Sequence, residues 1–191
     1  MQGRLAVGFA VKAVVALTLL ALLWQRTGVS RAYHDALVTA ANTAIGATGH
    51  EGRLSAVGND FVYHGRQEDR RVRVSVSAGR ITANLVLLAA LFIASPVRPC
   101  RRLYGIFLAA AFGGMFILHV VTVLVHVKHG LLKMPHEPGG WDGFVQTYVG
   151  AYSYVGLWAF VIVAWCPYIL LYAANLRRNR ERSGARPRPA T

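Results

Sequence analysis

The sequence predicts a mainly α, integral membrane protein: four transmembrane helices, with a small exported helix plus β-hairpin between helices 1 and 2. Three observations predict it. Four apolar runs, residues 5–24, 81–97, 103–127 and 144–174, are each long enough, or nearly so, to cross a hydrocarbon core of ~30 Å, which takes roughly 20 helical residues. The composition, 54% hydrophobic against 15% charged, departs from that of a soluble domain in the direction a bilayer demands. The basic residues that give a net charge of +13 sit mostly beside those runs. Clusters at membrane ends are what the positive-inside bias and anionic headgroups select, whereas a nucleic-acid reader needs a basic face on a soluble module. Nucleic acid is therefore set aside as a partner, and the lipid bilayer is the first partner implied.

Residues 1–176 read as a single four-span membrane domain. The first run, 5–24, has Arg4 before it like a signal peptide. It also carries Lys12, lacks a small-x-small cleavage site before Trp24 and precedes three more spans, so it reads as an anchor. Lys12 lies near one end of the run, where its amine extends toward the headgroups. The segment 25–80 follows on the exported side. Ser30 supplies an N-cap and Tyr33, Leu37, Val38, Ala41 and Ile45 follow helical spacing, which predicts a short amphipathic helix on the outer leaflet, broken at Gly46 and Gly49. Leu54, Val57, Phe61, Val62 and Tyr63, a polar turn at 65–70, and Val72, Val74 and Val76 alternating with Arg73, Ser75 and Ser77 then predict the hairpin. A lone hairpin is marginally stable, so it must lean on the helix, the membrane ends or a partner.

The second run, 81–97, begins near Asn84, placed to bond a neighbouring helix or to cap its own. Arg98, Arg101 and Arg102 fill the tight turn after it. In the third run, 103–127, Ala109, Ala110, Gly113 and Gly114 form overlapping small-xxx-small pairs that admit another helix, internal or from another protein. The fourth run, 144–174, contains Pro167, which predicts a kink. Arg177 and Arg178 open a basic tail, 177–191, expected to be disordered and cytoplasmic. Trp24, Trp141, Trp158, Trp165, Tyr104 and Tyr168 are expected at interfacial depths. With Met1 on the cytoplasmic side, the densest basic stretches also become cytoplasmic, so the predicted topology is N-in and C-in. Cys100 and Cys166 then lie at or near that side, and no disulfide framework is implied.

One polar stripe stands out within the spans. His119, Thr122, His126 and His129 are spaced by three, four and three residues, which places them on one helix face. Gln146, Thr147, Tyr148, Tyr152, Ser153 and Tyr154 in the fourth run are placed to line an outward-facing polar pocket with them. Residues seven apart on a helix are ~10 Å apart, so His119 and His126 cannot share a haem iron. His126 and His129 have only Glu137 and Asp142 nearby in sequence and no cysteine or carboxylate motif, so neither metal nor other cofactor is expected. The leading reading is a neutral histidine pair bonded between helices, and the alternative is a small-molecule or ion site. Arginines flank Cys100 and favour a reactive thiol, yet the predicted topology puts it across the membrane from the histidines. No catalytic residue is assigned.

The layout resembles the small membrane proteins associated with exosortase H. The residues that carry this are the strand running straight into the second span, Val72 to Asn84 and on through Ala-Leu-Phe-Ile-Ala to Ser95 and Pro96, followed by the basic turn and two further spans. The resemblance covers Leu5 to about Ala174. It implies a noncatalytic companion to a protein-sorting system of bacterial inner membranes, with a membrane-protein partner, an exosortase. Exosortases combine cysteine, arginine and histidine on the exported side, an arrangement this chain lacks, so peptidase activity is not carried over. The expected function is a noncatalytic accessory or scaffold protein. A small transporter subunit or sensor with a polar outer-leaflet site, or an integral-membrane enzyme acting at the outer face, are the alternatives.

Overall fold

Apolar helices dominate the structure, a computed structural model that describes residues 2–48, 51–67, 70–96, 101–132, 140–152 and 157–184. In chain order these form α1 (Gln2–Arg26), α2 (Val29–Ala47), β1 (Gly52–Val57), β2 (Asp60–Gln67), β3 (Arg70–Ser77), α3 (Ala78–Ala94), α4 (Arg101–Leu132), α5 (Asp142–Ala151) and α6 (Leu157–Gly184). Arg98, Cys100, Glu137, Ser153, Tyr154 and the end of the basic tail lie outside the described residues, as does the Trp158 side chain.

Among the described residues three helices are long and apolar enough to cross a membrane: α1, α4 and, over residues 159–178, α6. The predicted second span is the shorter α3, whose 17 residues reach ~25 Å, the lower limit for a hydrocarbon core. It ends at Ala94 because Ser95 is extended ahead of Pro96, as a residue before proline prefers. The apolar run 144–174 is described as two helices, α5 and α6. Pro167 lies within α6, and that helix continues through Arg177 and Arg178 to Gly184. The first part of the tail expected to be disordered is thus helical, in keeping with its arginines and glutamate, which are good helix formers.

Two cores organise the molecule. One joins α3, α4 and α6 through Leu88, Phe92, Met115, Val161 and Tyr168. Tyr168, expected at an interface, is fully buried there, with Tyr104 and Phe92 about its ring. Its hydroxyl donates to the Pro96 carbonyl, and the Trp165 indole donates to Ser95 Oγ at 2.8 Å. These bonds bring the end of α3 and the middle of α6 together, beside the start of α4 and away from the sheet. Arg101 and Arg102 are exposed at that end, and Lys12 is exposed on α1.

The other core belongs to the segment between α1 and α3. Instead of a hairpin it contains a three-stranded antiparallel sheet in the order β1-β2-β3. The residues read as one strand from Leu54 to Tyr63 fold back at Gly58–Asn59, where Gly58 takes φ +62°, a conformation that costs glycine little. The strands beyond it run further than expected, β2 to Gln67 and β3 from Arg70. Leu54, Tyr63 and Val74 align across the sheet on the covered face. The Tyr63 ring lies over Gly52 and Gly65, where an added Cβ would come within 2.6 Å of it.

α2 begins one residue before the expected cap, after Gly28 rather than from a Ser30 cap, and its buried face is His34, Leu37, Ala41 and Ile45. That face meets the sheet and α4 rather than a lipid leaflet, because the valines of β3 and Phe61 offer it a protein surface. Asn42 completes the docking. Its Nδ2 donates to the Leu54 carbonyl at 2.9 Å and its Oδ1 accepts from the Leu54 N–H at 2.7 Å, occupying both outward groups of an edge-strand residue. Ile81 of α3 and Val123 and Val127 of α4 belong to this same core, so the helix–sheet module is continuous with the helical bundle.

Candidate functional site

The stripe on α4 is where the sequence placed polar chemistry, and the structure divides it. His119 and Thr122 are fully buried, whereas His126 and His129 are half-buried. At about 3.6 residues per turn, nearly three turns carry the stripe from the middle of the bundle to the edge of the sheet, so its two halves meet different neighbours.

At the inner half, His119 Nε2 lies 2.7 Å from Asn84 Oδ1 and Nδ1 lies 2.7 Å from the Tyr33 hydroxyl. A carbonyl oxygen only accepts, so Nε2–H donates to Asn84 and Nδ1 accepts from Tyr33. Both ring nitrogens are occupied, which fixes the tautomer. The network links α2, α3 and α4, with the Tyr33 ring packed edge-on against His119 and Phe116. Next to it, the Thr122 hydroxyl pairs with the Tyr148 hydroxyl at 2.8 Å. The Asn84 amino group makes no hydrogen bond of normal geometry, and the Tyr152 hydroxyl is the polar group beside it.

A second buried histidine, absent from the sequence reading, repeats the device. Thr82 donates its hydroxyl to the Ala78 carbonyl at 2.9 Å, so its oxygen accepts from His34 Nε2–H at 3.3 Å. The His34 ring meets Trp24 and Phe61 edge-on. Burial lowers the His34 pKa, with Asp35 opposing the shift, and the ring is neutral at pH 7. Burial raises the Tyr33 hydroxyl well above the ordinary range, so it remains a donor. Tyr33 was legible only as an apolar position on α2, yet a buried tyrosine needs a partner for its hydroxyl, and that requirement was the available signal.

At the outer half, His126 Nδ1–H donates to the carbonyl of Thr122 in its own helix at 2.8 Å. No described hydrogen bond takes Nε2. His126 and His129 line a cavity of about 650 Å³ with Arg80 of α3, Ser75 and Ser77 of β3 and Tyr152 at the end of α5. Gly130 is on the same wall, and there a Cβ would collide with a Val74 methyl, so a side chain at 130 would force α4 away from β3.

Of the other residues expected at the pocket, Tyr148 and Tyr152 join the network and stack on one another at 6.0 Å, whereas Gln146 and Thr147 are exposed on α5 and face away from it. Turning by about 100° per residue, α5 cannot present three consecutive positions to one partner. Ala109, Ala110, Gly113 and Gly114 are exposed, and Cβ atoms at both glycines would meet nothing within 4 Å. The small-residue face therefore serves no helix of this chain among the described residues. Ala111 and Met115, on the opposite side, make the internal contacts. Ala110 and Gly114 instead edge an apolar groove of about 430 Å³ closed by Phe160 and Val163. Cys166 is half-buried in α6. Among the described residues no three metal-binding side chains gather. No family model, curated protein or solved structure matches this chain.

Proposed function

We propose that this chain is a noncatalytic, multi-pass accessory protein of a bacterial inner membrane, lying N-in and C-in, whose exported helix–sheet module engages a partner membrane protein. The partner class we infer is an exosortase-type sorting enzyme. The observation that carries this reading is the expenditure of the stripe's inner half on internal bonds. His119, bonded to Tyr33 and Asn84, fastens α2 to the bundle, Thr122 ties α4 to Tyr148 of α5, and an imidazole with both ring nitrogens committed has none left for a substrate.

What the module then presents outward is the other face of its sheet. Arg53, His64 and Arg73 align across the three strands and are exposed, and Arg66 faces Arg71 in the next row. An acidic partner surface would complement this basic face. The exposed Ala109–Gly114 face of α4 supplies a second contact area within the membrane. Exposed arginines at the end of the bundle away from the sheet, Arg101, Arg102 and Arg178, support the orientation.

A photo-crosslinking side chain in place of Arg73, in native membranes, tests the proposal. The expected result is one stoichiometric adduct with an exosortase-type membrane protein, lost when Arg53 and Arg71 become Glu. Purification as a partner-free monomer under mild conditions, with no such adduct, would sink it. Gln at both His119 and His126 is expected to leave the adduct intact.

A further inference from the structure

The sheet has two edge strands, and the chain treats them differently. Arg66 N–H donates to the Glu51 carbonyl, so β2 turns the backbone groups of Arg66, and of every second residue from it, toward β1. By the same alternation Val72, Val74 and Val76 of β3 bond to β2, and the N–H and C=O groups of Arg71, Arg73 and Ser75 point away from the sheet. The Ala78 N–H, which donates to the Asn59 carbonyl, keeps this phase to the end of the strand. On the β1 edge Asn42 takes both outward groups of Leu54, at 2.9 and 2.7 Å. Among the described residues no hydrogen bond reaches the outward groups of β3.

Beside that edge lies the cavity described at His126. Four consecutive residues of β3, Val74 to Ser77, line it. Alternate side chains of a strand point to opposite faces, so a strand that borders a cavity with consecutive positions does so along its edge. α4 reaches Val74 from the covered face, at Gly130, and Ile81, Val149 and Tyr152 complete an apolar and aromatic wall. An extended chain laid ~4.8 Å from β3, the ordinary spacing of paired strands, would enter this space. The unpaired backbone of an edge strand is a template for such a chain.

We infer that β3 is the docking edge of the exported module and takes an extended segment of the partner protein as a fourth strand. The inference rests on the accessory reading above and names what the partner must supply. The outward groups of Arg73 and Ser75 give the ladder bonds, and alternate side chains of the incoming strand give the selectivity. Those beside Arg71 and Arg73, which are exposed, are acidic, and those on the other face are apolar, turned toward Ile81 and Val149. A second copy of this chain is a poor occupant, because its β3 would bring Arg70, Arg71 and Arg73 to the same edge and no acid. The chain's own residues 133–139 include Pro135 and Pro138, which have no N–H to give to a ladder. Arginines on an edge strand deter unselected pairing, so the residues that admit an acidic strand also disfavour a basic one.

The test uses the full chain in neutral detergent and a synthetic peptide in which Glu and Val alternate, with binding read by fluorescence anisotropy and amide protection by hydrogen exchange. The expected result is saturable binding that newly protects the Arg73 and Ser75 amides. Methylating alternate peptide nitrogens, replacing Glu by Lys in the peptide, or Ser75→Pro in the protein should each weaken binding at least about tenfold, the loss of a ladder bond or a charged contact. Proline at 75 removes an N–H that β2 does not use, so the melting profile of the parent should be retained. Should Ser75→Pro disturb the strand, Arg73→Glu keeps the test open, since this exposed change should weaken the Glu peptide and favour the Lys one. No binding of the Glu peptide, equal binding of its methylated form, or binding without protection of β3 would overturn the proposal. So would protection of both amides before peptide is added, in a dimer because a second copy fills the edge, or in a monomer because the chain covers it. The assay needs no natural partner, so it can fail while the Arg73 adduct with an exosortase-type protein stands, and that adduct can fail while the edge binds peptide.

Discussion

His119 and His126 lie about two turns apart on one face of α4 and meet opposite environments. Around His119, α2 and α3 come close enough to supply a tyrosine and an asparagine, and every ring nitrogen is committed. Around His126, Gly130 and the sheet hold α4 beside β3 while a cavity remains at the start of α3, and among the described residues the helix's own backbone takes one ring nitrogen. Identical side chains at equivalent helical positions thus act as a fastener in one place and as an open wall in the other. The difference teaches that a polar stripe within a span reports several roles at once, decided by what each turn of the helix packs against.

The sharpest way to break this comparison is to remove each imidazole. His119→Leu strands the Tyr33 hydroxyl and the Asn84 amide in a buried site, and should cost about 3 kcal/mol in a reversible unfolding measurement in detergent, against less than about 1 kcal/mol for His126→Leu. Equal losses would mean that the two halves do not differ. Gly130→Val addresses the open side. Its side chain collides with Val74, and overpacking of this kind should destabilise by about 1–3 kcal/mol while lowering protection of the β3 amides from hydrogen exchange.

A double-mutant cycle sharpens the closed side. Tyr33→Phe combined with His119→Gln should show a coupling of about 1 kcal/mol, whereas Tyr33→Phe with His126→Gln should be additive. The smallest effect concerns pH. Because burial lowers the His34 pKa, its contribution to stability is present above about 6.5, the unfolded value, and is lost as pH falls through the lower folded value. Amide exchange across α2 should therefore quicken on acidification more in the parent than in His34→Gln. An unchanged pH response in that variant would remove His34 as the cause.

Several parts of this arrangement were legible from residue order. The apolar runs, the α2 face of Leu37, Ala41 and Ile45, and the stripe itself follow from periodicities of 3.6 and 2, which a chain displays before it folds. The split at Gly58 was harder to read, because Val57 and Phe61 continue the apolar sequence on either side of a glycine whose positive φ is set by the pairing of Val57 with Asp60. The pocket was partly legible. Tyr148 and Tyr152 were found beside the stripe, whereas Gln146 and Thr147 were drawn in only because they are adjacent in sequence. Arg80 was missed, since its place on the cavity wall depends on α3 starting directly from β3.

By itself the sequence determined which segments are apolar enough to enter a membrane, where arginines bound them, and which α4 residues share a face. These are one-dimensional properties, fixed by side-chain chemistry and helical repeat. Tertiary structure decided the rest. Tyr33 and His119 are 86 positions apart, and His126 and Arg80 46 apart, so neither the closed network nor the open cavity exists until α2, the sheet and α3 are brought against α4. Hydrogen bonds act over less than 3.5 Å, and only the packing of distant segments sets separations on that scale.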